Sequence, residues 1–301
     1  MYPVVLFIFN RPETTQQVFA EIRRARPQRL LVVADGPRPN QAEDVEKCAL
    51  ARAVVSHVDW PCDMLTHYSD INLGCQQRLA SGLDWVFSQV EAAIILEDDC
   101  LPHPAFFGFC DELLDHYYED ERIMHIGGAN FQHGRRRNRY SYYFSRYMHV
   151  WGWASWRRAW HYYDVTMPLW RELRNGEWLW DLLGDPILVA HWKRNFDRIA
   201  RQELDTWDYQ WVFACWAQGG LSIIPRVNLV RNIGFDGSGT HTRIRNPWAD
   251  LQTFSMEFPL KHPPFVLRDR RADRFTDGSE LSLSRFLAWA ANLVARGLRR
   301  S

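Results

Sequence analysis

Short apolar runs alternate with segments of helical periodicity through the first hundred residues of the chain. Four apolar runs are rich in β-forming residues and predict strands, at Val4–Phe9, Leu30–Ala34, Met64–Tyr68 and Ala93–Leu96. Three segments between them predict helices, at Glu13–Arg24, Ala42–Val58 and Gln76–Val90. Strands that are apolar on both faces and alternate with helices are typical of a parallel sheet with helices on both sides. The pattern therefore predicts an α/β fold with a mostly parallel sheet.

The second half of the chain shows these periodicities less regularly. Further strands are predicted at Ile123–Gly127, Ser141–Ser145, Ile223–Pro225 and Val227–Val230. The segment WGWASWRRAW predicts a helix from about Ser155, and residues 202–216 predict another. Eleven of the 15 Trp residues lie between Trp151 and Trp216. We expect about three quarters of these indoles to pack in the core, because large aromatic residues at helical spacing are usually buried.

Polar residues follow each predicted strand of the first half. They are Asn10-Arg11, Asp35-Gly36, Asn72-Leu73-Gly74 and Glu97-Asp98-Asp99. Ligands of open parallel sheets bind outside the carboxyl ends of the strands, so we expect these groups to converge on one edge, here called the carboxyl edge. Three consecutive carboxylates suit a hard cation such as Mg²⁺ or Mn²⁺. The alternative is that they cap the next helix, although the convergence of the other polar residues favours the metal.

Composition and charge argue against a nucleic-acid-binding, disulfide-rich, secreted or membrane-spanning protein. The 36 basic residues balance 36 acidic ones, so no global positive field indicates a nucleic-acid partner. The six Cys residues have no metal-binding spacing, and a disulfide scaffold is not expected at this length. The apolar run at the N-terminus is too short for a signal peptide, and no run approaches the roughly 20 residues of a membrane span. These features predict a cytoplasmic protein.

The chain lacks the common glycine-rich phosphate loops. No G-x-x-x-x-G-K-[ST] segment occurs, and no G-x-G-x-x-G follows the first strand. A metal bridge at the carboxyl edge is therefore the expected way to hold a ligand's phosphates.

The segments PVVLFIFNRPETT, VVADGPR, NLGCQQR and ILEDD, in this order, carry a family resemblance. They resemble the nucleotide-binding half of GT-A glycosyltransferases. The group that they resemble most includes the N-acetylglucosaminyltransferase that begins complex N-glycan branching and bacterial nucleotide-diphospho-sugar transferases. The resemblance is strong over residues 3–130 and looser to about residue 260. It implies a GT-A-like, Rossmann-like fold, a UDP-sugar donor and a Mn²⁺ or Mg²⁺ ion.

The resemblance also implies roles for the acidic triplet. In this family the EDD sequence is a variant of the D-x-D motif. Asp99 would bind the metal directly, with Asp98 near the ribose and Glu97 nearby.

The resemblance also implies which residues contact the nucleotide-sugar donor. The resemblance implies that Asn10, Arg11 and Asp35 line the nucleoside pocket, most often for uracil. It implies that Asn72 and Arg78 contact the sugar or the diphosphate.

The segment WDYQW supplies a candidate general base. Trp207 and Trp211 lie at helical spacing and are expected in the core, which places Asp208 beside apolar bulk. Such a position raises the pKa of a carboxylate toward neutrality, as a base that deprotonates an acceptor hydroxyl requires. In the resembling family a helix that begins with W-D supplies this base, and Asp208 is the matching residue. Glu203 and Asp205 are rivals, and a helix cap or an arginine partner is the alternative role of Asp208.

Two loops are candidates for phosphate contacts. The segment from Asn232 to His241 is rich in glycine and is expected to fold over the diphosphate. His241 would then meet phosphate oxygens or the metal. The basic loop Arg135–Arg139 is either a phosphate-binding lid or, as we expect, a solvated surface loop.

The C-terminal residues differ in character from the rest. Asp269–Asp277 is charged and predicts a linker, and Leu281–Arg300 predicts a basic amphipathic helix. That helix either docks on the domain or touches an anionic membrane that carries lipid-linked acceptors.

These features together predict a metal-dependent glycosyltransferase. Residues 1–130 form its nucleotide-sugar-binding half, residues 131–265 its Trp-rich acceptor-binding half, and residues 266–301 the linker and C-terminal helix. The expected reaction is inverting transfer from a UDP-sugar to a hydroxyl of a glycan, lipid-linked or protein acceptor. The alternatives are a catalytically silent carbohydrate-binding protein, because aromatic faces stack on sugars, and another metal-dependent nucleotide transferase.

Overall fold

The computed structural model describes residues 1–234 and 251–278. The strands are β1 (Val4–Ile8), β2 (Arg29–Ala34), β3 (Asp63–Tyr68), β4 (Ala92–Glu97), β5 (Cys100–Pro102), β6 (Ile123–Gly127), β7 (Tyr142–Ser145), β8 (Trp153–Trp156), β9 (Leu221–Pro225) and β10 (Val230–Asn232). The helices are α1 (Pro12–Ala25), α2 (Ala42–Val55), α3 (Gly74–Gln89), α4 (Ala105–His116), α5 (Arg157–Trp160), α6 (Pro168–Leu173), α7 (Trp178–Leu183), α8 (Pro186–Ala200) and α9 (Asp208–Ala217).

Eight strands form one sheet in the order β3-β2-β1-β4-β8-β6-β9-β7. Strands β3, β2, β1 and β4 are parallel to one another, as the alternation in the first half predicts. Strand β8 lies antiparallel between β4 and β6, and β7 is antiparallel to β9 at the edge. All strands except β8 and β7 therefore run in one direction, and the predicted α/β fold with a mostly parallel sheet is confirmed. A separate antiparallel pair joins β10 to β5.

Helices cover both faces of the sheet because successive side chains of the buried strands point to opposite sides. In β1, Val4 and Leu6 face a core that includes side chains of α1, α2 and α4. Val5 and Phe7 face a second core that includes α3 and the helices of the second half. The carboxyl ends of β1, β2, β4 and β6 all lie on the carboxyl edge.

The Trp-rich segment builds the second core rather than a surface. Trp153, Trp170 and Trp211 are almost fully buried, which agrees with the prediction that most indoles pack. The predicted helix from Ser155 is wrong, since residues 153–156 form β8 and only one helical turn follows. Ala154 and Trp156 face one core and Trp153 the other, which is the two-residue period of a strand.

The segment Asp269–Asp277 is not a linker. Residues 270–278 are helical, and Asp273 and Asp277 are buried. Ser145 Oγ donates a hydrogen bond of 2.7 Å to Asp273, and Arg146 forms an ion pair of 2.5 Å with Asp277. The sequence predicts a linker because charged residues usually face water. Here the carboxylates of Asp273 and Asp277 bind partners inside the protein instead.

The predicted C-terminal helix Leu281–Arg300 lies outside the described residues. Within the described part of the chain, no helix combines the length and the apolar character needed to cross a bilayer.

Candidate functional site

Asp35 joins two of the polar segments that the sequence predicts at the carboxyl edge. Its carboxylate accepts hydrogen bonds of 2.9 Å from the backbone N–H of Gly36, the backbone N–H of Leu73 and Nδ2 of Asn72. Burial raises the pKa of Asp35, while the backbone donors oppose this rise. A Cβ on Gly36 would lie 2.5 Å from the backbone carbon of Ile71, so this close approach requires glycine. The strand ends of β2 and β3 are thereby locked together.

Asn10 is held by a buried carboxylate that the sequence analysis did not single out. Its Nδ2 donates to Asp44 Oδ1 at 2.8 Å, and Asp44 also forms an ion pair of 2.6 Å with Arg38. Hydrogen bonds from Arg38 are the main cause of a pKa of about 2 for Asp44. Asp44 shares the buried stripe of α2 with Cys48 and Ala51, so a carboxylate at an apolar position was the available signal.

Arg78 lies beneath the carboxyl edge. Its guanidinium is buried and donates to the carbonyl oxygen of His67 at 2.5 Å. Burial lowers the pKa of Arg78, and the charge of Asp35 acts against that shift. The side chain is therefore held near Asp35 and against β3.

The acidic triplet ends β4 and is held by one arginine. Arg11 Nη1 lies 2.7 Å from Asp99 Oδ2 and 3.3 Å from Asp98 Oδ1. Asp98 Oδ2 also accepts a hydrogen bond of 3.1 Å from the backbone N–H of Phe9. Burial disfavours the charge of Arg11, but Asp98 and Asp99 raise its pKa, so the guanidinium stays cationic. The triplet and Arg11 form one electrostatic unit at the end of β1 and β4.

Burial raises the pKa of two carboxylates of this unit. The pKa of Asp98 rises to about 6, and Arg11 limits the rise. The pKa of Glu97 rises well above its usual value, and the charges of Asp99 and Asp98 add to the effect. Burial therefore favours the protonated forms of both Glu97 and Asp98.

The described residues do not by themselves fit a divalent cation. Across residues 1–234 and 251–278, no group of three or more His, Cys, Asp or Glu side chains is placed to hold a metal ion. Asp99, the predicted ligand, is paired with Arg11 through Oδ2, and Cys100 Sγ lies 3.5 Å from its Oδ1. The positive charge at this position is the guanidinium of Arg11.

A segment of the second half docks on the start of α3. Asp205 Oδ1 accepts a hydrogen bond of 2.9 Å from the backbone N–H of Gln76, which is 129 residues away in the sequence. Gln76 Nε2 donates in return to the carbonyl oxygen of Thr206 at 3.0 Å. Asp205 thus satisfies one of the free N–H groups of the helix and places its negative charge at the positive end of the helix dipole.

Asp208 begins α9 directly after this docked segment. It is half-buried, its Oδ1 accepts a hydrogen bond from the hydroxyl of Thr206, and Trp207 and Trp211 are buried as predicted. The charge of Asp208 contributes to the raised pKa of Glu97, so the two carboxylates are electrostatic neighbours. Glu203, a rival by sequence, lies 3.6 Å from Arg198 on the exposed surface.

Tyr163 and Cys75 complete this region, and the sequence analysis missed both. The Tyr163 ring stacks on Trp160 at 4.1 Å, and its buried hydroxyl has no hydrogen-bond partner within the described part of the chain. Burial raises the pKa of Tyr163, with a further contribution from Asp208. Burial likewise raises the pKa of the Cys75 thiol, with Glu97 adding to the rise. No local motif marks either residue, because only the tertiary fold brings them together.

The glycine-rich segment starts beside Asp99. The backbone N–H of Ile233 donates to the carbonyl oxygen of Asp99 at 2.7 Å. A Cβ on Gly234 would lie 2.6 Å from Asp99 Oδ2 and 3.2 Å from Arg11 Nη1, so only glycine fits without a shift. His241 lies outside the described residues.

The basic loop Arg135–Arg139 packs against the helix of residues 270–278. The guanidinium of Arg135 lies 4.6 Å from the ring centroid of Phe275, and that of Arg137 lies 5.5 Å from it. The loop therefore borders the edge strand β7 rather than the acidic triplet at the end of β4.

Comparison with known proteins gives distant structural similarity only. No protein-family model matches the sequence, and no curated protein matches it. Mouse xyloside xylosyltransferase 1 in its apo form has a TM-score of 0.38 at 11% identity, over 71% of this chain and 81% of that protein. HddC from Yersinia pseudotuberculosis, complexed with GMP-PN, has a TM-score of 0.32 at 9% identity, over 52% and 78%.

A UDP-glucose pyrophosphorylase complexed with UDP-glucose has a TM-score of 0.26 at 10% identity, over 48% of this chain and 62% of that protein. Two of these three structures are complexes with GMP-PN or UDP-glucose, and the third is a xylosyltransferase. Because all three TM-scores lie below 0.5, we base the functional proposal on the geometry of this chain.

Proposed function

We propose that this protein is a glycosyltransferase that moves a sugar from a nucleoside diphosphate donor to a hydroxyl acceptor. One observation carries the proposal: Asp208 begins α9 directly after the segment that Asp205 fixes to the start of α3, and its charge acts on Glu97 at the end of β4. The carboxylates proposed for the donor and the residue proposed for the acceptor are distant in the sequence and would then act at one site.

The nucleoside is proposed to bind between the ends of β1 and β2. The ordered amide of Asn10 and the Asp35–Asn72 pair lie there, and both are fixed by buried hydrogen bonds. Fixed polar groups recognise a base and ribose at a low entropic cost, because they are already oriented before the ligand arrives. The family resemblance favours uracil, which makes a UDP-sugar the first donor to test. Asp98 is proposed to lie near the ribose.

Arg11 is proposed to bind the diphosphate. Guanidinium groups make paired, charge-assisted hydrogen bonds to phosphate oxygens. Arg11 lies at the end of β1, next to the start of the glycine-rich segment, where a Cβ on Gly234 would lie 3.2 Å from its Nη1. Because the described residues do not assemble a three-ligand metal group, we assign the stabilising positive charge to Arg11.

Asp208 is proposed to act as the general base. It takes the proton of the acceptor hydroxyl while that oxygen forms a bond to the anomeric carbon. The bond from this carbon to the diphosphate breaks on the opposite face, and the nucleoside diphosphate leaves with the electron pair. The configuration is then inverted, and Asp208 later gives the proton to solvent. The competing carboxylates have other partners, since Asp205 caps α3 and Glu203 faces Arg198.

A binding screen tests the donor half of the proposal. Nucleoside diphosphates and nucleotide sugars are added to the full chain, with and without Mn²⁺, and the melting temperature is recorded. A ligand at 100 times its Kd adds about 2.7 kcal/mol of stability, which is easily measured. We expect stabilisation by at least one nucleoside diphosphate, with an Asp35→Ala variant showing a smaller shift. An unchanged melting temperature with every nucleotide would overturn the proposal.

The products separate this function from that of a nucleotide transferase. A glycosyltransferase releases a nucleoside diphosphate, whereas a nucleotidyltransferase that builds a nucleotide sugar releases pyrophosphate. A carbohydrate-binding protein without turnover releases neither. The acceptor is proposed to be a glycan or a lipid-linked or protein-linked sugar that meets the Trp-rich half.

A further inference from the structure

Six exposed arginines lie on two segments near the edge strand β7. Arg135, Arg136 and Arg139 belong to the loop between β6 and β7, and Arg270, Arg271 and Arg274 belong to the helix of residues 270–278. We call these six residues the arginine surface. They lie outside the acidic triplet and the Asp208 segment, and the proposed reaction uses none of them.

The two segments form one continuous surface. Gln132, at the start of the loop, donates from Nε2 to the carbonyl oxygen of Ala272 at 3.3 Å and to the Thr276 hydroxyl at 3.1 Å. Arg135 then lies over the ring of Phe275 on the same helix. Since the helix is docked through its buried carboxylates, the loop arginines and the helix arginines hold fixed positions relative to each other.

The six arginines have no acidic partner among the described residues, since none of them forms a salt bridge with a carboxylate of residues 1–234 or 251–278. Several exposed arginines elsewhere are paired, for example Arg23 with Asp59, Arg29 with Asp63 and Arg122 with Asp120. The chain is neutral overall, so this local excess of positive charge is a property of one surface.

Exposed apolar side chains adjoin the arginines. Phe265 is 44% exposed and Leu267 is 68% exposed, and the Phe265 ring packs edge-on against Tyr140 at 5.8 Å. Arg139 lies over the other ring of this pair, 5.4 Å from the centroid of Tyr140. Cations interleaved with protruding aromatic and aliphatic groups match the headgroup region of a bilayer, where apolar side chains enter and arginines meet phosphates.

The loop that carries Arg135, Arg136 and Arg139 leaves the sheet at the carboxyl edge. Strand β6 runs parallel to β4, since both are antiparallel to β8 between them, so the loop after β6 starts at the edge that carries the acidic triplet. The helix of residues 270–278 docks through Asp273 on Ser145, at the end of the antiparallel edge strand β7.

We propose that the arginine surface binds the headgroups of an anionic phospholipid bilayer. The apolar residues Phe265 and Leu267 favour a bilayer over nucleic acid, because a polyanion in water offers no apolar phase for Leu267 to enter. This proposal does not depend on the proposed reaction, so membrane binding can be present when glycosyl transfer is absent, and the reverse.

Vesicle flotation with the full chain tests the proposal. One set of vesicles contains phosphatidylcholine alone, and the other contains phosphatidylcholine with phosphatidylglycerol. We expect binding to the second set that weakens as NaCl is raised. In the triple variant Arg135→Ala, Arg136→Ala, Arg139→Ala, the partition coefficient should fall roughly 100-fold, because each arginine near an anionic surface contributes a factor of about five.

A control variant removes the same formal charge elsewhere. Arg171→Ala, Arg194→Ala and Arg201→Ala together change exposed arginines of the α6 and α8 region, of which Arg201 pairs with Glu203 at 3.8 Å. This variant should bind vesicles like the wild type. Equal losses in both triple variants would overturn the proposal, as would equal binding of the wild type to neutral and anionic vesicles. Melting temperatures of both variants should match the wild type, since the substituted side chains are exposed.

A second variant separates a bilayer from other polyanions. Phe265→Ser with Leu267→Ser should weaken vesicle binding and leave the retention of the protein on heparin unchanged. Loss of heparin retention without any loss of vesicle binding would contradict the assigned role of these two residues. Retention on heparin with no vesicle binding by the wild type would assign the surface to a polyanionic macromolecule and overturn the proposal.

Discussion

Arg11 Nη1 lies 2.7 Å from Asp99 Oδ2, so the residue that the sequence nominates as a metal ligand already has a cationic partner. The same guanidinium nitrogen lies 3.3 Å from Asp98 Oδ1. A divalent cation at this position must compete with an arginine that is part of the chain and partly buried. Arg11 therefore offsets part of the negative charge of the acidic triplet before any ligand binds.

Removal of Arg11 should increase the affinity for divalent cations. In Arg11→Met, Asp98 and Asp99 lose their positive partner, and we expect the Kd for Mn²⁺ to fall by at least about tenfold, which corresponds to roughly 1.4 kcal/mol. Titration calorimetry with Mn²⁺ measures the change directly. Arg29→Met is the control, because Arg29 pairs with Asp63 at the opposite end of β2. Tighter Mn²⁺ binding by wild type than by Arg11→Met would contradict the assignment of the charge to Arg11.

Gly234→Ala should impair donor binding. The new Cβ would lie 2.6 Å from Asp99 Oδ2, and relief of that overlap would move Asp99 or Arg11. Overpacking of this kind costs about 1–3 kcal/mol, so the Kd of a bound nucleoside diphosphate should rise by about tenfold or more. Gly278→Ala serves as the control, since its added Cβ meets no atom of residues 1–234 or 251–278 within 4 Å. Equal Kd values for wild type and Gly234→Ala would show that the Asp99–Arg11 geometry is not needed for binding.

Asp205→Ala should uncouple the two halves of the site. Loss of its hydrogen bond to the Gln76 backbone removes a cap of α3 and the anchor of the segment before Asp208. A lost cap costs about 1 kcal/mol, which should appear as a lower melting temperature. Turnover should fall more than donor affinity, because the nucleoside groups at β1 and β2 are untouched. Asp205→Asn, which keeps an oxygen acceptor, should recover most of the turnover.

Asp44 should make the free energy of unfolding depend on pH in the acidic range. Its pKa in the folded protein is about 2, below the usual value of about 3.9, because Arg38 and Asn10 bind the ionised form. A lowered pKa contributes stability that is present above the usual value and is lost as pH falls toward about 2. The melting-temperature difference between wild type and Asp44→Asn should therefore shrink from pH 5 to pH 2. A difference that stays constant over this range would exclude the linkage.

The regular part of the fold could be predicted because its signals are local. Each buried strand of the first half is a continuous apolar run, and the polar residues after β2 and β4 mark where the chain leaves the sheet. Strand β8 was not predicted from the sequence because its large Trp residues occupy both faces. Its two-residue period therefore resembles a continuous aromatic segment. The helix of residues 270–278 was not predicted because its charged residues suggest a solvated linker, whereas Asp273 and Asp277 are paired inside the protein.

The sequence predicts which residues belong to the candidate site, but it does not predict the hydrogen bonds and ion pairs that most of them form. The convergence of Asp35 and Asn72 follows from the parallel strands and is present in the structure. The contact of Asp205 with Gln76 joins residues 129 apart, and no local pattern encodes it. The pairing of Arg11 with Asp99 is likewise tertiary, although the sequence nominates Arg11 for the nucleoside pocket and Asp99 for the metal.

The most direct test of the central claim is the release of nucleoside diphosphate from nucleotide sugars. The full chain and its Asp208→Asn variant are incubated with a panel of donors that begins with UDP-sugars, and the free diphosphate is measured. Water can take the place of the acceptor slowly, so the assay needs no known acceptor. We predict release by the wild type with at least one donor, and a loss of about 100-fold or more in Asp208→Asn at unchanged donor affinity. No release with any donor, or an Asn variant as active as the wild type, would contradict the account.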